Sequence, residues 1–374
     1  MKRYLYSDET LFRNRDLFEI DYVPDVFNYR ESQLKDIAFA LQNGLHGGRP
    51  RNIVLRGLPG TGKTTTVRRI FSEVEETTRR LVPVYVNCQF ERTKFAIFAK
   101  IFKKIHGHQP PSTGAPVRTV INDIGRTLSE KGIVLSVCLD DANYLVLNKS
   151  LNEVLYTLTR LYEEFPGARA GVILTMSTMD VKLHQEIDPA VLSVLQHKEV
   201  YFPPYTLDEI SDILKYRVRL GVFPGVISNE LCDLVIEQTM RCGDLRVGLD
   251  LVKQSVMTAE RAGRMAVVEE DILSAYEVSK YFHLSASVRA LTTDEKSLLY
   301  QIADMATGSD SYLTSGAVFE AATENLKMSY TGFYEKIRKF DQMRLVELSH
   351  LNHGGRTREI ALRYDPEKVK EVCG

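Results

Sequence analysis

The sequence has few of the features that mark secreted or membrane-bound proteins. Its 374 residues include no tryptophan and five cysteines, none of which forms a Cys-x-x-Cys pair. No apolar run reaches the length that spans a bilayer, and the first residues lack the apolar core of a signal peptide. These absences predict a cytoplasmic protein without a membrane partner, whose cysteines are reduced.

The sequence also lacks an excess of charge of either sign. The 48 basic and 49 acidic residues give a formal net charge of -1, so the chain as a whole does not attract nucleic acid. Any contact with DNA must come from local basic patches. The apolar fraction of 44% and the charged fraction of 26% are typical of a globular protein, and the length allows two or three domains.

The most informative stretch, residues 57–64, reads Gly-Leu-Pro-Gly-Thr-Gly-Lys-Thr and has the form of a phosphate-binding P-loop. Glycines let backbone amides face phosphates, Lys63 reaches the outer phosphates, and the Thr64 hydroxyl is suited to Mg2+. A β-branched run precedes the loop and a helical pattern follows it. A glycine-rich surface turn would not need Lys63 and Thr64 together. The predicted ligand is ATP or ADP, bound by Pro59, Gly60, Thr61, Gly62, Lys63, Thr64, Thr65 and Thr66.

Two acidic residues follow an apolar strand at 133–139. Asp140 is predicted to position Mg2+ together with Thr64, and Asp141 to orient the attacking water. The alternative is a strand that ends in two solvated aspartates. Another apolar strand, at 170–176, is followed by Ser177 and Thr178, which are predicted to lie near the γ-phosphate if this strand lies beside the Asp140 strand. The alternation of strands and helices predicts an α/β fold with a parallel sheet and nucleotide at the carboxyl ends of the strands.

Between residues 206 and 281 the patterns are helical only, with predicted helices at 206–218, 229–241, 244–262 and 268–281. Residues 283–287 are predicted to be a linker. Arg246 falls in the first turn of a helix, where it opposes the helix dipole unless an anion is close, which suggests a phosphate partner. The predicted domains are therefore a nucleotide-binding base at 1–200, a helical lid at 201–284 and a C-terminal domain at 285–374.

The C-terminal pattern is that of a winged helix-turn-helix. Helices are predicted at 294–305, 315–323 and 330–342, followed by strands at 345–349 and 359–363 with a basic, glycine-tipped loop. Such a domain binds duplex DNA or docks proteins, and both possibilities remain open here. The predicted DNA-binding residues of the third helix and the loop are Tyr330, Tyr334, Lys336, Arg338, Lys339, Arg356 and Arg358.

A second basic segment lies inside the base. Lys100, Lys103 and Lys104 belong to a stretch, 89–118, whose only acidic residue is Glu91. They border an apolar helical face. One interpretation is a solvated helix with a basic outer side. The other is a contact with the DNA backbone.

Taken in order, these motifs resemble the archaeal origin-recognition and helicase-loading initiators of the AAA+ class. The resemblance covers nearly the whole chain and includes Tyr-Val-Pro-Asp at 22–25, Phe-Pro-Pro-Tyr at 202–205 and Gly-Asp-Leu-Arg at 243–246. It implies binding of double-stranded origin DNA, recruitment of a replicative helicase, association with other initiator paralogues and a place on the nucleoid. It also implies a nucleotide pocket lined by Val23, Arg30, Tyr205 and Arg217, with Arg246 as the sensor of the phosphates and the segment around Lys100 as a DNA-contacting initiator helix.

Three positions depart from the pattern of that family. Asp141 stands where a glutamate is usual, Thr178 where an asparagine is expected, and Ala190 where relatives carry an arginine that acts in trans. The shorter carboxylate of Asp141 would sit roughly 1 Å farther from the water, a displacement that can lower a rate ~100-fold. The sequence therefore predicts a slow ATPase that uses nucleotide as a switch. A regulatory paralogue with a structural nucleotide is the alternative; a motor-type remodelling enzyme or a small-molecule kinase is disfavoured.

Overall fold

The computed structural model describes residues 10–25, 27–111, 116–177, 183–307, 313–326, 328–350 and 358–374. The chain forms two compact units. Residues 23–203 form one, called here the base unit. Residues up to 22 and from 204 onward form the other, called the lid unit. No helix in the described ranges is both long and apolar enough to cross a bilayer.

The base unit is built on a five-stranded sheet in the order β2-β3-β4-β1-β5. All its pairings are parallel, so the carboxyl ends of the strands meet at one edge. This arrangement confirms the predicted α/β fold. The strands are β1 Ile53–Arg56, β2 Leu81–Asn87, β3 Val134–Asp140, β4 Arg169–Met176 and β5 Lys198–Tyr201.

Helices cover both faces of this sheet. Because successive side chains of a strand point to opposite faces, Val54 joins one apolar core while Ile53 and Leu55 join the other. Phe98 and Leu158 come from helices of the first face, whose core is the larger. The helices are α1 Glu31–Leu45, α2 Lys63–Thr77, α3 Lys94–His106, α4 Val117–Lys131, α5 Asn143–Leu147, α6 Leu151–Glu164, α7 Leu183–Glu186 and α8 Pro189–Leu195.

The lid unit begins with a short 3-10 helix at Arg15–Phe18. Its larger helices are α9 Leu207–Gly221, α10 Asn229–Cys242, α11 Leu245–Arg261 and α12 Glu269–Arg289. Leu11, Phe12 and Phe18 are buried in the same core as these helices, so residues 10–22 belong to this unit, although the sequence-based boundary counts them with the base. These residues are too few to show a helical or strand period, which is why their partner could not be read from the sequence.

Helix α12 overturns one prediction. Residues 283–287 were expected to form a linker, but α12 continues through them to Arg289. The segment contains neither glycine nor proline, and Leu284 and Val288, four residues apart, are both buried. Tertiary packing therefore extends the helix through the predicted linker.

The C-terminal part of the lid unit shows the predicted order of three helices and a hairpin. It contains α13 Thr293–Thr307, α14 Ser315–Leu326, α15 Tyr330–Gln342, β7 Val346–His350 and β8 Arg358–Leu362. Two further elements were not predicted: β6 Leu313–Thr314, which completes an antiparallel sheet in the order β6-β8-β7, and α16 Pro366–Cys373.

Candidate functional site

The P-loop connects β1 to α2 at the carboxyl edge of the sheet. Gly60 and Gly62 adopt φ of 76° and 90°, a region that favours glycine. A Cβ on Gly57 would lie 2.5 Å from the carbonyl oxygen of Phe202, so only glycine fits there. These glycines shape a loop that ends at Lys63, the first residue of α2, where a helix amino terminus favours phosphate.

Side chains of the loop hold it in a closed turn. Lys63 is 5% exposed, and its Nζ donates to the carbonyl oxygens of Gly57 and Leu58 at 2.7 and 2.8 Å. Thr61 Oγ1 donates to the Leu58 carbonyl at 2.8 Å, and Thr66 Oγ1 donates to the Gly62 carbonyl at 2.7 Å. The Lys63 ammonium therefore lies within the loop, whose backbone amides are suited to phosphate oxygens.

Arg30 ties the loop to the rest of the base unit. Its side chain is 1% exposed, its Nε donates to the Thr61 carbonyl at 3.0 Å, and one terminal nitrogen donates to the Pro203 carbonyl at 2.7 Å. Removing a buried guanidinium would leave these carbonyls without a donor, a cost of about 1–3 kcal/mol per group. Arg30 thus positions the P-loop. Its predicted place near the ribose remains a prediction, as does that of the half-buried Val23.

Asp140 is the centre of a buried cluster of hydroxyl groups. It is 2% exposed and accepts from Thr64 Oγ1 at 2.8 Å, from the Tyr85 hydroxyl at 2.5 Å and from Thr175 Oγ1 at 2.5 Å. Burial raises the pKa of Tyr85 well above its ordinary value, and the Asp140 carboxylate raises it further. The phenol therefore stays protonated and donates.

Asp141 lies beside this cluster in a different environment. Its backbone adopts φ of 54°, a left-handed conformation that is strained for a residue other than glycine. Its N–H donates to Thr175 Oγ1 at 2.8 Å, and Ser177 Oγ donates to its carboxylate at 2.8 Å. Thr175 therefore positions both aspartates. Thr178, the predicted sensor of the γ-phosphate, lies outside the described residues.

This donor set fits the phosphates of a nucleotide. Gly60 and Gly62 adopt backbone conformations that favour glycine, and the buried Lys63 ammonium is bound to carbonyls of the same loop. Among the described residues no group of three His, Cys, Asp or Glu side chains could hold a metal by itself. Mg2+ commonly binds through one or two protein groups together with waters and phosphates, which is what Thr64 and Asp140 offer.

Three predicted pocket residues belong to the lid unit. Arg217 is 7% exposed, donates to the Leu17 carbonyl at 2.8 Å and lies over the Tyr22 ring at 4.4 Å; burial lowers its pKa. Arg246 pairs with Asp244, the N-cap residue of α11, at 2.5 Å. The anion that Arg246 needs near the helix start is therefore supplied by Asp244. Tyr205 packs against the lid core, and its role at the nucleotide remains a prediction.

The predicted DNA-binding lysines of the base unit lie on α3. Lys100 is 3.6 Å from Glu91 and Lys104 is 2.5 Å from Glu75, while Lys103 is exposed. The structure adds Glu75, from the end of α2, to the acids near this helix. Both pairs are half-exposed and contribute little to stability, so exchange for phosphate contacts costs little.

The residues predicted on α15 divide into exposed and buried ones. Tyr330, Tyr334 and Arg338 are exposed, and Lys336 is half-buried. Lys339 departs from the prediction, because the residue is only 5% exposed and its Nζ forms an ion pair with the buried Glu295 at 2.7 Å. It lies between Ile337 and Phe340 on the inner side of the helix.

The predicted wing, the segment that joins β7 to β8, contributes one described arginine. Arg358, the first residue of β8, lies over the Tyr334 ring at 5.4 Å, so the structure brings together two residues that were both predicted to bind DNA. Arg356 lies outside the described residues. The positioning residues Tyr85 and Thr175 were not among the predicted site residues, whereas Ser177 was predicted to lie near the γ-phosphate together with Thr178. A polar side chain within an apolar strand next to β3 was the available signal for the first two.

Comparisons with known proteins agree with this geometry. Residues 26–196 match the family description "AAA ATPase domain", and residues 211–277 match "Cdc6 AAA+ ATPase-type lid domain". The ORC1-type DNA replication protein 2 of Methanothermobacter thermautotrophicus is 39% identical over 372 residues, covering 99% of this chain and 97% of that protein. Its counterpart in Methanosarcina mazei is 40% identical over 367 residues, covering 98% and 96%.

Solved structures show the same fold. The Aeropyrum pernix ORC1 protein in complex with DNA is 28% identical, with a TM-score of 0.65 over 98% of this chain and 97% of that one. The Aeropyrum pernix ORC2 protein in its ADPNP-ADP complexes has a TM-score of 0.73 over 97% of each chain; at 22% identity this likeness supports the fold alone.

The parallel sheet, the P-loop with its partner aspartate and the helical lid define an AAA+ nucleotide-binding protein. Within that class, the identity to curated relatives over nearly the full length is decisive. The chain belongs to the Orc1/Cdc6-type family of archaeal DNA replication initiators.

Proposed function

We propose that this protein binds duplex origin DNA, holds ATP or ADP with Mg2+ as a slow switch, and helps to recruit the replicative helicase. The observation that carries the proposal is the hydrogen bond between the half-buried Thr64 and the buried Asp140 beside a complete P-loop, combined with an altered residue at the water-activating position. DNA binding would place the protein on the nucleoid, and other initiator paralogues are candidate partners there.

On the nucleotide side, the residues that would bind phosphate and Mg2+ are better supported than those that would hydrolyse ATP. Lys63 and the loop amides would bind the phosphates, and Thr64 with Asp140 would hold Mg2+, which neutralises charge between the outer phosphates. Tyr85 and Thr175 fix the Asp140 carboxylate by donating to its two oxygens. Binding is therefore supported by preorganised, buried groups.

Hydrolysis has weaker support. Asp141 would have to orient a water, but its side chain is one methylene shorter than a glutamate, and one carboxylate oxygen already accepts from Ser177 at 2.8 Å. A misplacement of about 1 Å can reduce a rate ~100-fold. At the position where relatives carry an arginine, the carbonyl of Ala190 accepts from the Arg160 guanidinium at 3.1 Å, but Arg160 also pairs with Glu163. We therefore expect slow turnover and persistent bound ADP.

On the DNA side, two basic surfaces would act together. One is α3, with Lys100, Lys103 and Lys104; the other is α15 and the wing, with Tyr330, Tyr334, Lys336, Arg338, Arg356 and Arg358. Tethering a second site gives a millimolar effective concentration and can raise avidity ~100-fold or more. Lys339 is excluded from this set because it is buried against Glu295.

DNase footprinting on the organism's own origin region, with ATP, with ADP and without nucleotide, tests the proposal. The expected result is a footprint at defined sequences whose extent changes with the nucleotide. Uniform protection that is the same in all conditions would contradict both sequence recognition and switching.

A second candidate is a regulatory paralogue that binds origins but loads no helicase. It is favoured by the hydroxyl-bound Asp141 and by Ala190, since both weaken hydrolysis without affecting the grip on nucleotide. Cells that carry Asp141→Asn distinguish the two functions. Loss of origin firing supports a hydrolysis-dependent initiator, whereas normal firing, together with loss of protein stability in Lys63→Ala, supports the paralogue.

A further inference from the structure

The inference concerns the edge of the base-unit sheet opposite the P-loop, where the strands begin. Arg80 immediately precedes β2, and its backbone carbonyl accepts from Val134 at the start of β3 at 2.8 Å. Val134 is in turn paired with Arg169, the first residue of β4. Parallel register therefore brings Arg80 and Arg169 to the same edge, separated by one strand.

The two guanidinium groups meet at one loop. Arg169 donates to the carbonyl oxygen of Gly47, and the Arg80 guanidinium packs so closely that a Cβ on Gly47 would lie 2.3 Å from its terminal nitrogen. Arg49, two residues further on, donates to the carbonyls of Ala170 and Thr159 at 3.2 and 2.9 Å. We call Arg49, Arg79, Arg80 and Arg169 the edge arginines.

No carboxylate of the described residues forms an ion pair with an edge arginine. Several acids near these arginines in sequence have other partners: Glu75 pairs with Lys104, Glu163 with Arg160 and Glu164 with Arg118, and Glu76 accepts from Ser72 Oγ at 3.3 Å. Arg79, Arg80 and Arg169 are exposed. Like charges gathered at one loop repel each other, and an anion would remove that cost.

The edge arginines are continuous with the lysines of α3. Because Lys104 contacts Glu75 in the last turn of α2, the end of α3 lies beside the end of α2, and Arg79 and Arg80 follow α2 directly. Lys131, the last residue of α4, is exposed three positions before Val134. Basic side chains thus extend from the end of α3 along the amino ends of β2, β3 and β4.

We propose that the edge arginines form a further, sequence-independent contact with the phosphates of duplex DNA, continuous with α3. The inference rests on the proposed DNA binding and adds a surface to it. Arginine suits this role because its planar fork bonds phosphate oxygens in pairs. The backbone bonds of Arg49 and Arg169 orient the guanidinium groups before DNA arrives.

The test is the salt dependence of affinity for a duplex of arbitrary sequence, measured by fluorescence anisotropy on the full chain. Affinity falls as salt rises, and each lost phosphate contact makes the slope of log affinity against log salt less steep by about 0.9. The slope of Arg80→Gln/Arg169→Gln should therefore be less steep by about 2. Arg80→Lys/Arg169→Lys should keep most of the slope, because a point charge still displaces counterions. The matched control, Arg219→Gln/Arg261→Gln in α9 and α11, should leave it unchanged.

A second pair of substitutions tests the proposal even if Arg80→Gln/Arg169→Gln disturbs folding. Arg79→Gln/Lys131→Gln removes two charges whose side chains make no hydrogen bond within the described residues, and it should also lower the slope by about 2. Wild-type slopes in both Gln pairs would overturn the inference. If Tyr334→Ala/Arg338→Gln still weakens DNA binding in that case, the proposed function survives alone; if the wild type binds no duplex, the proposed function fails.

Discussion

The predicted nucleotide site and the predicted DNA-binding helix α15 use similar side chains in opposite environments. Lys63 is buried and held by two carbonyls of its own loop, whereas Arg338 on α15 is exposed. A buried cation has one geometry fixed by the fold, while an exposed one takes its geometry from the ligand. The side chains proposed to bind nucleotide are therefore part of the folded core, whereas those proposed to bind DNA lie on the surface.

Lys339 shows how the two environments can be confused. It lies on α15 among the predicted DNA-binding residues, yet its ion pair with Glu295 makes it resemble Lys63 rather than Arg338. Glu295 also closes the capping box of α13, accepting from the Thr292 N–H at 2.7 Å. The pair therefore joins α13 to α15 and serves the structure of the C-terminal part.

The largest effect should come from breaking that pair. Glu295→Ala leaves the buried Lys339 ammonium without a partner, and we expect the free energy of unfolding to fall by about 3–5 kcal/mol. Denaturant unfolding measures it. Glu335→Ala, on the exposed side of α15, is the control and should change the stability by less than about 0.5 kcal/mol. Equal stability of the two variants would show that the pair is not buried in solution.

The next effect concerns the buried cation of the nucleotide site. Lys63→Ala should lower the affinity for ATP and ADP about 100-fold, because charge-assisted bonds to phosphate are lost. Calorimetry with purified protein gives the affinity, and Lys35→Ala, an exposed lysine of α1, should bind normally. Unchanged affinity in the Lys63 variant would contradict the proposed site.

On the surface side of the comparison, Arg338→Ala should alter sequence preference. A base-reading arginine contributes about 1–3 kcal/mol of discrimination, so affinity for origin DNA should fall more than affinity for a random duplex. Arg356→Ala/Arg358→Ala should instead weaken binding to all sequences and flatten the salt dependence. Equal losses on both DNAs from both variants would show that α15 reads no bases.

The smallest effect tests a positioning residue. Tyr85→Phe removes one hydroxyl from Asp140 and keeps the ring, so affinity for nucleotide should fall about 5-fold with Mg2+ and stay unchanged with a chelator. Tyr201→Phe, whose ring is 52% exposed, is the matched control. An equal loss with and without Mg2+ would indicate a general packing defect rather than a role at the metal.

The buried site was largely predictable because its residues are adjacent in sequence or at strand ends. The P-loop is contiguous, and Asp140 follows an apolar run that could only be a buried strand. Tyr85 and Thr175 were not predicted as site residues, because their approach to Asp140 depends on the strand order β2-β3-β4. Strand order is set by packing of the whole sheet and is not encoded in any single segment.

The surface site was less predictable, because helical phase decides which residues face out. The bounds of α15 were predicted as observed, 330–342, yet Lys339 lies on the inner side with Ile337 and Phe340. Helix α4 was missed, although Val120, Ile124 and Leu128 recur every four residues. Its polar flanks and the proline-rich stretch before it concealed the pattern.

The central claim is that this site holds nucleotide firmly and hydrolyses it slowly. Steady-state ATP turnover by the purified chain, compared with Asp141→Glu, tests it most directly. We expect wild-type turnover far below the ~10 per second of a typical enzyme, and an increase of up to ~100-fold when the missing methylene is restored. Wild-type turnover of tens per second without partners, unaffected by Asp141→Glu, would contradict the account.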